Sequence, residues 1–154
     1  MTAMDAEPRS RGDGAVQRRR DASGPREPGA KKVLVVNDHV EVRSVITEFL
    51  RRRGFIAIPV RDADSGRVIS ERVALDLILL HLVQLATPEA SLLRFVRRLR
   101  PTTPVVVVAP PAAPDLDRAC RALGAAEVLE KPLVLRQLDR VITRLLRTGS
   151  AASS

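Results

Sequence analysis

The chain alternates between short unbroken apolar runs and longer segments in which apolar residues recur every three or four positions. Val33–Val36 is a continuous run rich in β-branched residues, the pattern of a strand covered on both faces. Glu41–Arg53 follows with Val42, Val45, Ile46, Phe49 and Leu50 at helical spacing, and Gly54 as its stop. Phe55–Val60 predicts a second strand. Pro59 inside it has no N–H to give to a ladder, which places that strand at a sheet edge. Asp64–Arg72 predicts a helix and Leu77–Val83 (LILLHLV) a third strand. Pro88–Arg100 predicts a helix with Leu92, Leu93, Val96 and Leu99 facing inward. Val105–Val108, four valines in a row, predict a fourth strand, and Asp115–Leu123 a helix ended by Gly124. Val128 and Leu129 predict a last short strand, and Leu133–Leu146 the last helix.

Strands that alternate with helices in this way predict an α/β fold: a parallel sheet with right-handed crossovers and helices on both faces. In such sheets the working site lies beyond the carboxyl ends of the strands, where the strand order reverses. The residues falling there are Asn37, Asp38 and His39 after the first strand, His81 in the third and Ala109 after the fourth. Lys131-Pro132 follows the fifth.

Composition narrows the picture. The 154 residues suit one folded domain, here 31–147. Residues 1–30 are rich in Gly, Pro, Ser, Arg and Asp without hydrophobic periodicity, so they are expected to be disordered. The small polar residues 148–154 are expected to form a frayed tail. A single cysteine, Cys120, excludes an internal disulfide framework. Its neighbours Arg118 and Arg121 would favour the thiolate, but a small thiol on such a helix is expected to be inert packing. No apolar run approaches the roughly 18 residues of a spanning helix, and no signal-like apolar segment opens the chain. No membrane insertion is expected, and the expected compartment is the reducing cytoplasm. The formal charge is +8, from 26 Lys and Arg against 18 Asp and Glu, with nearly all of the excess in 31–147.

The segments KKVLVVND (31–38), RDADSG (61–66), LDLILLHL (75–82), PVVVVAP (104–110) and GAAEVLEKP (124–132) occur in order, with pocket positions 38, 81, 109 and 131 at fitting intervals. In this the sequence resembles the receiver domain of bacterial two-component response regulators, over roughly Lys31 to Arg147. The resemblance implies a flavodoxin-like, doubly wound five-stranded parallel sheet, (βα)5, of strand order 2-1-3-4-5. It also implies a stand-alone signalling protein of the phosphorelay type, with a cis bond at Lys131-Pro132. In that family an aspartate on strand three accepts a phosphoryl group from a histidine kinase. Two acidic residues after strand one hold Mg²⁺, a Thr or Ser ends strand four, and a Lys follows strand five.

This sequence departs from that pattern. The phosphoacceptor position is His81, the acidic pair is Asn37-Asp38, the hydroxyl position is Ala109, and the usual aromatic of strand five is Val128. Only Asp38 and Lys131 are kept, and an ion pair between them across the pocket is the expected remnant. Mg²⁺ favours carboxylate oxygens in near-octahedral geometry, so its binding is expected to be lost or weak. Pro110 lacks the amide that would help bind a phosphoryl group, and the prolines of APPAAP (109–114) stiffen the loop. The implied chain is a degenerate receiver and not an enzyme, acting by phosphorylation-independent protein binding.

Alternatives remain at the same residues. His81 is itself a competent nucleophile and a candidate phosphoacceptor. His39, His81 and Asp38 make a candidate transition-metal set, or a pH-sensitive pocket. On the last helix Leu135, Leu138, Val141, Ile142 and Leu145 form an apolar arc, with Arg136, Arg140, Arg144 and Arg147 in a stripe opposite. The family makes dimer and output contacts through its fourth and fifth helices. The stripe is therefore a candidate surface for a histidine kinase, another response regulator, an output protein or a second copy. An anionic polymer such as nucleic acid is the less favoured ligand, because no aromatics are interleaved for base stacking.

Overall fold

The computed structural model describes residues 29–153. Five strands and five helices alternate in it: β1 (Lys32–Val36), α1 (Val40–Arg52), β2 (Ile56–Val60), α2 (Ala63–Arg72) and β3 (Leu77–His81). They continue as α3 (Pro88–Leu99), β4 (Val105–Ala109), α4 (Pro114–Ala122), β5 (Glu127–Glu130) and α5 (Leu135–Ser153). The strands form one parallel sheet of order β2-β1-β3-β4-β5. Pro59 lies on edge strand β2, beside Val35, as its missing N–H requires.

The unbroken apolar strands are explained by two cores, one on each face. Leu34, Val36, Leu80 and Val107 face α2, α3 and α4, where Leu92, Leu93, Val96 and Cys120 meet them. Val33, Val35, Leu79 and Val106 face Ile46 and Leu50 of α1 and Leu138 and Ile142 of α5. Alternate residues of each strand thus enter opposite cores, so no polar position is tolerated until the strand ends. The helices start where their caps allow. Asp62 accepts a hydrogen bond from the Ser65 amide, and Thr87 accepts one from the Ala90 amide. Gly66 lets α2 approach the sheet: a Cβ there would stand 3.0 Å from Leu92 and 3.2 Å from Val36.

Three expectations need correction. Leu99 does not face inward but is 39% exposed, because α3 ends there and its last turn leaves the sheet. Val42 and Val45, although at helical spacing with Ile46, lie outside the core. They line an apolar groove with Pro111, Pro132, Leu133 and Leu135. The backbone of α5 runs on to Ser153 where a frayed tail was expected. Extending a formed helix costs far less than nucleating one, and the small Ala and Ser residues tolerate it. The extension expected over 1–30 lies, except for its last two residues, outside the described residues.

The burial difference along α3 is measurable. Leu93→Ala is expected to cost about 2–5 kcal/mol of stability in urea unfolding, and Leu99→Ala no more than about 0.5 kcal/mol.

Candidate functional site

The loops after β1, β3 and β5 are held by main-chain hydrogen bonds to the carboxyl ends of the neighbouring strands. The Asn37 amide donates to the Val60 carbonyl (3.1 Å), Leu82 to Val108 (3.0 Å) and Lys131 to Ala109 (2.9 Å). The sites named from sequence are brought together there: Asn37, Asp38, His39, His81, Ala109 and Lys131. The Lys131-Pro132 bond is cis.

Asn37 is buried, and its side chain is already committed. Its Oδ1 accepts from the His39 amide (2.8 Å), closing a turn that starts α1, while its carbonyl accepts from the Arg43 guanidinium (2.8 Å). An amide oxygen in this arrangement caps the chain. Asp38 is the first carboxylate after β1. Its side chain is 73% exposed, whereas that of His81 is 11% exposed, so the acid sits at the mouth and the imidazole inside.

The anticipated Asp38–Lys131 pair does not form. Asp38 Oδ1 instead lies 3.5 Å from His81 Nδ1. His81 occupies the end of β3, between β1 and β4, and is the nearer partner. Its Nε2 is buried and has no hydrogen-bond partner. Protonating that ring would leave a buried N–H unsatisfied, which costs on the order of 1–3 kcal/mol. Burial, and then the Lys131 ammonium, accordingly hold the imidazole below histidine's ordinary 6.5, against the opposing pull of Asp38.

His39 caps nothing with its side chain, and its ring centroid lies 6.4 Å from that of His81, edge to face. Among the described residues no group of three His, Cys, Asp or Glu side chains is placed to hold a metal ion, the set His39, His81 and Asp38 included. The donors also do not fit Mg²⁺, since one carboxylate, one committed amide and one imidazole replace the oxygen-rich set that ion prefers. The small cavity bounded by Asp38, Arg61, His81 and Glu89 measures about 90 Å³. The β4–α4 loop contains Pro110 and Pro111, leads into Pro114 at the start of α4, and holds Ala112 at φ of 55°. A non-glycine residue there stores about 1–3 kcal/mol of strain that the neighbouring structure must offset.

Elsewhere, Cys120 is fully buried, and burial pushes its thiol up, the direction of an inert side chain. Of the α5 arginines, Arg136, Arg140, Arg144 and Arg147 are all exposed. Arg144 reaches Glu127 Oε2 (3.5 Å), whose other oxygen is held by Arg121 of α4 (3.0 Å). Sequence patterning could not find this bridge between α4 and α5, because Glu127 stands in a strand between them.

A doubly wound sheet of this order, with the loops after β1, β3, β4 and β5 at one end, has the architecture of a receiver domain. Residues 33–143 match the model of the response regulator receiver domain, and the chain belongs to that family of two-component signalling. It is similar to Regulatory protein VanRc of Enterococcus gallinarum, 30% identical over 122 residues that make up 77% of this chain and 51% of that protein. It is also similar to Transcriptional activator protein PfeR of Pseudomonas aeruginosa, 31% identical over 116 residues, 75% of this chain and 38% of that protein. The chain thus spans about half or less of the length of these curated relatives. In fold it matches a CheY-like response regulator receiver domain protein from Methanospirillum hungatei JF-1, with a TM-score of 0.74 and 21% identity. That match covers 80% of this chain and 98% of the other.

The buried imidazole makes stability depend on pH in a defined direction. Below 6.5 the unfolded chain takes up a proton that folded His81 resists, so the stability linked to neutral His81 is present above that value and lost as pH falls. The melting temperature is expected to drop from about pH 7 to about pH 5.5, and to drop less in His81→Asn.

Proposed function

We propose that this chain is a degenerate receiver, which has exchanged Mg²⁺-dependent aspartyl phosphorylation for signalling by protein binding, and which is not an enzyme. The observation that carries this reading is the pairing of His81 with Asp38. The residue at the phosphoacceptor position is an imidazole turned toward the remaining acid. Three further features support it. Asn37 spends its side-chain oxygen on the His39 amide. Ala109 offers no hydroxyl to follow a phosphoryl oxygen. Pro110 offers no amide, and the loop after it is stiff.

The partner is a protein of the same pathways, a histidine kinase, another response regulator or an output protein. It docks on α4, β5 and α5, where Arg136, Arg140 and Arg147 are exposed and ion-pair with no carboxylate among the described residues. Such a surface suits acidic side chains of a partner; in a second copy Asp115 and Asp117 of α4 already pair with Arg118 and Arg121 of their own helix. Phosphorylation on His81 is not favoured by the geometry, because Nε2 is buried and Nδ1 faces a carboxylate.

Addition of Mg²⁺ with beryllofluoride tests this directly. Amide chemical shifts of Asp38, His81 and Lys131 are expected to stay in place, and a saturable change at these three residues overturns the reading. Incubation with a phosphorylated histidine kinase is likewise expected to leave no acid-labile phosphate on the chain. A label lost in His81→Ala would establish the relay alternative instead.

A further inference from the structure

The strands are all parallel and each leads into the next helix, so every helix runs antiparallel to them. The amino ends of the strands and the carboxyl ends of the helices therefore meet at one pole, opposite the pocket. The helix turns differ in sign at the two poles, although Arg61 and Lys131 also lie at the pocket end and Glu71, Asp76 and Glu127 at the far end. First turns at the pocket end carry Glu41, Asp64, Glu89 and Asp115. Last turns at the far end carry Arg51 and Arg52 on α1, Arg72 on α2, and Arg97 and Arg98 on α3. Arg53, Arg100 and Lys31, just beyond those turns or just before β1, add to the same end.

The helix dipole favours a cation in the last turn; α1 and α3 each carry two there, with Arg53 and Arg100 just beyond. Some are engaged locally: Arg52 pairs with Glu48 (2.9 Å) and Arg53 with Asp139 (3.0 Å). Arg51, Arg97 and Arg100 donate to the carbonyls of Ala57, Thr103 and Ser70, which positions them without neutralising them. Arg72 and Arg98 are exposed and ion-pair with no carboxylate among the described residues.

We propose that this pole is a docking surface for a nucleic-acid duplex, contacted along its phosphate backbone and without reading its sequence. The charge is complementary, and the guanidinium is the cation best shaped for paired hydrogen bonds to phosphate oxygens. The described domain contains no Trp or Tyr, and its three Phe are half-buried against the two cores, so backbone contact is favoured over base stacking. A membrane fits less well. Surface binding to lipid needs buried apolar area as well as charge, and among the large apolar residues exposed on the domain only Leu99 stands at this end of α3. A second copy fits less well too, since the chain carries +8 and repels itself.

Fluorescence anisotropy of the full chain with a labelled DNA duplex over a salt series tests the proposal. Binding is expected at low salt, weakening linearly in log–log form. Arg72→Gln combined with Arg98→Gln is expected to weaken it about tenfold or more and to lower the salt slope by about 1.8, two phosphates at about 0.9 each. An unchanged melting temperature in that variant excludes unfolding as the cause. Absence of duplex binding, or binding undiminished by these substitutions, overturns the proposal. So does an equal loss in Arg136→Gln with Arg140→Gln, which would move the site to α5. Capture by anionic phosphatidylserine vesicles without duplex binding overturns it in favour of a membrane.

Discussion

Everything in this domain follows from a sheet that is covered on both faces. Apart from Lys32 at the start of β1, the strands β1, β3 and β4 are apolar up to their carboxyl ends, so each needs helices on either side. A parallel sheet can satisfy that only by passing the chain through a helix after every strand. The arrangement fixes two places at once: a cluster of loops at one end, where polar residues first become tolerable, and the converging helix carboxyl ends at the other. The pocket and the arginine-rich pole are thus products of one constraint. Packing supplies the energy, at roughly 1.5–3 kcal/mol for each large apolar side chain removed from water.

Much of this was legible in the chain. Apolar runs located β1, β3 and β4, Pro59 marked β2 as an edge, Val128 and Leu129 sufficed for β5, and the strand ends placed Asn37, His81, Ala109 and Lys131 at one end of the sheet. Helix faces were read less well. Val42 and Val45 fit the apolar period of α1, yet they flank a groove, since period alone cannot say how wide a stripe the sheet will cover. Leu99 misled for a related reason, as the last turn of α3 overhangs the sheet.

The pocket's wiring was hidden for a different reason. Charge alone matches Asp38 with Lys131, two unit charges of opposite sign. Only the fold shows that His81 lies nearer, beneath Asp38, and that Asn37 bends back to its own chain two residues on. The basic pole was hidden by distance along the sequence. Its arginines are spread from α1 to α3, each group looking like an ordinary helix end, whereas the stripe on α5 is visible in one continuous segment.

The pairing of Asp38 with His81 and of Asn37 with the His39 amide has one further consequence. A ligand can move a two-state domain only by the difference in its affinity for the two states. A pocket in which Asp38 faces His81 and Asn37 is held by its own chain offers a small anionic ligand little to distinguish. On the proposed reading, the event left to select a conformation is the encounter with a partner. For a domain that works in this way, the signal is how many copies the cell makes.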